Sequence, residues 1–136
     1  MNAAIRPGLA AERQALVTDQ MVTTHAGGRG VLATPAMIGL MEETAQAVTA
    51  PYLPADHTTV GFEVSVRHRA PTFVGETVTI RAELLEVDGR KLLFLVEAVN
   101  ARGKAGEGTH RRTIIKRGRF EAKVGSAAAE ESDACH

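Results

Sequence analysis

Gly30 to Val48 reads GVLATPAMIGLMEETAQAV. Met37, Ile38, Met41, Ala45 and Val48 recur at spacings of three and four, which gathers them on one face of a helix. Thr34 is a good N-cap, Pro35 suits the first helical position, and Pro51 stops the helix. Two carboxylates, Glu42 and Glu43, interrupt this apolar segment. Consecutive helical residues lie about 100° apart around the axis, so the two cannot share one environment. Glu43 is therefore expected in solvent or in a structural ion pair. Thr34 and Glu42 are separated by roughly 12 Å along the axis, too far for a direct hydrogen bond on one straight helix.

Outward from this helix the period changes to two. Val60, Phe62, Val64, Val66 and His68 alternate with Gly61, Glu63, Ser65, Arg67 and Arg69, which predicts a strand with one apolar face. Val78, Ile80, Ala82 and Leu84 form a second row, and Leu92, Phe94, Val96 and Ala98 a third. Asp88-Gly89 between them is a hairpin turn signal. A last strand is expected from about Gly106 to Lys116. Before the helix, Ala15 to Thr24 reads as a first strand, followed by the glycine-rich loop THAGGRGV. A strand, one long helix and an antiparallel meander make an α+β domain, with a single sheet wrapped around a single helix. Such a sheet leaves an edge strand and part of one face bare, which predicts a homodimer. The domain is expected over residues 12–124. Residues 1–11 are expected to be loose, and 125–136 (GSAAAEESDACH) to form a disordered acidic tail.

The 136 residues suit one domain, and a 44% hydrophobic content supports a core without metal or disulfide staples. Lys plus Arg balances Asp plus Glu at 16 each, which argues against a nucleic-acid partner. No apolar run is long enough to cross a membrane. The leading MNAAIRPGLAAERQ has no signal-peptide core, so a cytoplasmic protein is expected. The single cysteine, Cys135, has no internal partner, and no metal-ligand spacing is present.

Four blocks, LATPAMIGLMEETA, APYLP, VGFEVSVRH and GEGTHRRTIIKRGRFEAKV, occur in this order. Together they resemble the fluoroacetyl-CoA thioesterase family of hot-dog fold proteins, over roughly Val22 to Val124. The resemblance implies hydrolysis of a short acyl-CoA thioester, with no cofactor and no metal, at a dimer-interface site. It also assigns roles to positions: Thr34, Glu42 and His68 as the catalytic group, with Gly61 near the acyl group. A basic residue of the Arg111-Arg112 pair, most readily Arg112, helps shape the acyl site. The family's best-known member carries a bulky aromatic in the loop before the helix, where this chain has Gly27 and Gly28.

Each assignment has a plainer reading. Thr34 can serve as a helix cap alone, and Glu42 as an ion-paired or solvated residue. A lone histidine on an apolar strand face, such as His68, is more often a structural hydrogen-bonder. His110 is a second, weaker histidine candidate. The arginines suit the phosphates of a CoA ester, but surface charges are mostly just solvated. Two alternatives to hydrolysis remain at this stage. A hot-dog hydratase or dehydratase also pairs a histidine with a carboxylate and acts at a C=C bond. A non-catalytic acyl-CoA-binding protein would use the same groove without turnover.

Overall fold

The computed structural model describes residues 4–25, 28 and 30–118. The expected acidic tail from Gly125 lies outside the described residues, as does Gly27 of the glycine-rich loop.

Strands β1 (Ala10–Leu16), β2 (Val22–Thr23) and β3 (Val31–Leu32) precede helix α1 (Thr34–Thr49). A 3-10 turn over Ala50–Tyr52, holding Pro51, ends the helix. Four long strands follow: β4 (His57–His68), β5 (Thr77–Asp88), β6 (Lys91–Asn100) and β7 (Gly103–Lys116). The main sheet is antiparallel, in the order β1-β5-β6-β7-β4, and β2 and β3 pair separately. The helix lies on this sheet, against β5, β1, β4 and β6. This is the expected α+β architecture.

The rows on β5 and β6 sit where alternation puts them. Val78, Ile80, Ala82, Leu84, Leu92, Phe94, Val96 and Ala98 are all buried. They meet Met37, Leu40, Met41, Ala45 and Val48 of the helix in one core. Each fully buried Val, Leu, Ile, Phe or Met side chain among them stabilises the fold by about 1.5–3 kcal/mol relative to exposure. Gly106 on β7 permits the close approach of the helix: a Cβ there would lie 2.5 Å from Met37 Sδ. The β5–β6 turn falls one residue later than Asp88-Gly89. Asp88 still pairs with Lys91, and Gly89 takes the positive φ of +60°.

Three expectations are corrected. The first strand is β1, Ala10–Leu16, with Val22–Thr23 a separate short strand, instead of Ala15 to Thr24. Its sequence, AAERQAL, alternates weakly because it is an edge strand with mostly exposed positions. The segment before residue 12 is not loose throughout. Ile5 is buried in the core, and the Gly8 N–H donates to the Leu84 carbonyl at 2.9 Å. The apolar face of β4 is not continuous from Val60 to His68. The register with β7 shifts between Gly61 and Glu63, so Phe62 is an extra residue in a bulge. Before the bulge the inward positions are Thr59 and Gly61, opposite Ile114 and Arg112; after it they are Val64, Val66 and His68, opposite His110, Gly108 and Gly106. Phe62 is left 52% exposed.

Candidate functional site

Thr34 is not the N-cap. Ala33 holds that place, and no side chain caps the helix. The Thr34 hydroxyl is thereby free of a capping role, and its Oγ1 lies 2.8 Å from His68 Nδ1. The first residue of the helix is thus joined to the last residue of β4. Burial lowers the His68 pKa below its usual 6.5, so the ring is neutral at pH 7. Its Nε2 is buried and has no hydrogen-bond partner among the described residues. Beside this pair an open pocket of about 300 Å³ is lined by Val31, Thr34, His68, Arg69, Ala70 and Pro71.

Glu42 belongs to a second group, two helical turns away. There the helix crosses β4 at Gly61. A Cβ on Gly61 would lie 3.1 Å from Glu42 Oε2, 2.6 Å from His110 Cε1 and 3.2 Å from His110 Nε2. Only a glycine lets the carboxylate and the imidazole converge over the strand. Arg112 lies opposite Gly61 and is 5% exposed. Its Nε donates to Thr59 Oγ1 at 2.8 Å and its Nη2 to the Thr59 carbonyl at 2.8 Å. Burial lowers the Arg112 pKa, and the Glu42 carboxylate opposes that shift.

Within one chain, then, Thr34 meets His68, and Glu42 meets Gly61 and the surroundings of Arg112. No hydrogen bond among the described residues joins the two groups. The remaining positions behave as strand and helix geometry require. Arg111 is on the opposite face from Arg112, exposed, with its Nε donating to Glu63 at 2.9 Å. Glu43 faces solvent and pairs with Arg13.

His110 is the residue that the sequence reading underweighted. It is 1% exposed and sits among the inward positions of β7. The signal was available in alternation: Ile114, Arg112 and His110 share one face of the strand.

Comparison with known proteins gives the family and the fold. Residues 17–118 match the family described as FlK, fluoroacetyl-CoA-specific thioesterase. A fluoroacetyl-CoA thioesterase from Streptantibioticus cattleyicolor is 43% identical over 94 residues, which are 69% of this chain and 68% of that one. A solved structure of the fluoroacetyl-CoA thioesterase FlK superposes with a TM-score of 0.83 at 35% identity, covering 90% of this chain and 96% of that chain. A Thermus thermophilus hypothetical protein of the thioesterase superfamily gives a TM-score of 0.85 at 25% identity, covering 96% of this chain and 98% of the other. A hot-dog-like protein from Thermanaerovibrio acidaminovorans, 20% identical with a TM-score of 0.83 and covering 99% of this chain and 98% of that one, shares the fold.

Proposed function

The chain belongs to the fluoroacetyl-CoA-specific thioesterase family and is an acyl-CoA thioester hydrolase, and we propose that Thr34, His68 and Glu42 carry its chemistry. Hydrolysis adds an oxygen nucleophile to the thioester carbonyl, breaks the C–S bond and releases the CoA thiol with a proton. The observation that carries the reading is the Thr34–His68 hydrogen bond, formed by a threonine that the helix does not use as a cap. With the Thr34 hydroxyl donating to Nδ1, the neutral ring is a base toward the hydroxyl, or toward a water that Thr34 holds. In this reading the free N–H groups of the first helical turn donate to the oxyanion. The adjoining pocket gives a short acyl group access to this pair.

Glu42, Gly61 and Arg112 form the second half of the site. Glu42 joins Thr34 and His68 across the substrate or from a second protomer. A homodimer formed along β4 accounts for that strand's free edge and for its exposed Phe62 and Val64. The unpartnered Nε2 of His68 is a position such an assembly would satisfy. Among the described residues no helix is long and apolar enough to cross a membrane. A cytoplasmic enzyme acting on free CoA esters fits these features. Gly28 supplies no side chain to the loop before the helix, and a Cβ there would meet nothing within 4 Å. Acyl preference must therefore be measured over acetyl-, fluoroacetyl- and propionyl-CoA.

Thiol release from this panel tests the assignment in wild type, Glu42→Gln and His68→Ala. Unchanged rates in both variants would refute it. Conversion of an enoyl-CoA without thiol release would instead mark a hydratase. Binding of CoA esters without turnover would mark a carrier or sensor.

A further inference from the structure

We propose that His110 is a positioning residue for the reaction, a neutral imidazole that ties the buried Arg112 to the Gly61–Glu63 bulge and so fixes where Glu42 faces the strand. The inference rests on the reading above that Glu42, Gly61 and Arg112 belong to the site.

The protonation pattern follows from the partners. His110 Nδ1 lies 2.9 Å from the Glu63 carbonyl, which can only accept, so Nδ1 carries the hydrogen. In a neutral ring Nε2 is then an acceptor. Arg112 Nη1, which can only donate, lies 3.1 Å from it. Each ring nitrogen therefore has one partner of the right sense. A protonated ring would set N–H against N–H beside a guanidinium. Burial lowers the His110 pKa below 6.5 and Arg112 adds to that, while the Glu63 carbonyl and Glu42 oppose it. The ring has no spare hydrogen-bonding capacity to act as the acid or base. Its use is to hold its neighbours.

What it holds are the parts of the second half-site. The bulge at Phe62 changes the parity of β4, and the Glu63 carbonyl lies at that bulge. Arg112 is gripped by Thr59 on one side of its guanidinium and by His110 on another. The imidazole also walls the space over Gly61 into which Glu42 Oε2 points. Phe94 packs against the ring at 6.5 Å between centroids, which closes its other side. Loss of the acceptor at Nε2 frees an arginine whose charge acts on Glu42.

Two conservative replacements separate the two hydrogen bonds. His110→Gln can keep an acceptor toward Arg112, and His110→Asn can keep a donor toward Glu63. We expect His110→Asn to lower kcat for acyl-CoA hydrolysis by about 10- to 100-fold, with KM within about threefold of wild type. His110→Gln is expected to recover most of that loss at similar thermal stability. A purely structural role would track the folded fraction, leaving kcat per folded molecule unchanged in both. Wild-type kcat in folded Asn and Gln variants, or an Asn variant as active as the Gln variant, overturns the proposal. The Glu42→Gln variant is measured alongside. If its rate is that of wild type, the functional reading of the second half-site fails; if its rate falls and the His110 variants stay at wild type, the His110 inference alone fails.

Discussion

The two polar groups under helix α1 are built from the same parts and behave differently. Each joins one helical side chain to one inward position of β4: Thr34 to His68, and Glu42 to Gly61. The first is a single hydrogen bond at the rim of an open pocket, with a neighbouring nitrogen left unpartnered. In the second, Arg112 and His110 are buried and each of their side-chain nitrogens has a hydrogen-bond partner. A group that must pass a proton needs a free position. A group that must hold a charge in place needs none. The contrast predicts that the first group can be altered at the cost of rate alone, whereas the second trades rate and stability together.

The largest expected effect is on the first group. His68→Ala should lower kcat/KM by about 10²- to 10⁴-fold, the range for loss of an acid–base group, and leave the melting temperature nearly unchanged. A large loss of stability instead would erase the contrast. Gly61→Ala comes next. Its new Cβ would meet His110 Cε1 at 2.6 Å, and the ring is held by two hydrogen bonds. We expect about 1–3 kcal/mol of destabilisation in urea unfolding together with reduced activity. Arg112→Met should cost a similar amount, because it leaves the Thr59 carbonyl and His110 Nε2 unsatisfied in the interior.

A smaller effect is expected from pH. His68 and His110 are both held below 6.5 in the folded protein, while the unfolded chain takes up protons as pH falls through that value. Stability therefore falls with acidification below about pH 6.5. Scanning calorimetry should show the melting temperature dropping from pH 7.5 to 5.5, and His110→Gln should shallow that slope. The smallest effect is Glu43→Gln, which breaks only an exposed pair with Arg13 and should change stability by less than about 1 kcal/mol, with no change in rate. A rate loss there would mean that the neighbouring carboxylates act together after all.

The sequence was most readable where burial is uniform. On β5 and β6 every expected inward residue is inward, because both strands are interior to the sheet and one face is wholly apolar. Edge strands were harder. The AAERQAL of β1 has no strong period, and its pairing with β5 is decided by backbone hydrogen bonds that composition does not record. On β4 the apolar alternation VGFEVSV runs unbroken through a bulge, so Phe62 looked buried and is not. The helix face was read nearly correctly, but Leu40 and Thr44 are buried and Ile38 only partly so. Of the site, Thr34 and His68 were named together through family resemblance, and strand alternation already separated Arg112 from Arg111. The role of His110 needed three dimensions, since its partners Glu63 and Gly61 lie on another strand.

The bulge at Phe62 has a consequence for how this protein tolerates change. Side-chain direction on a strand depends on count, so the bulge acts as a frame shift within β4. Substitution at 62 alters one outward side chain. Removal of Phe62 would let Glu63 follow Gly61 in an unbroken ladder and keep Val64, Val66 and His68 opposite His110, Gly108 and Gly106. Removal of Ser65, with the bulge and the pairing on the His57 side kept, would instead turn Val66 and His68 outward and separate His68 from Thr34. Phe62 is the residue of β4 whose loss the ladder can absorb.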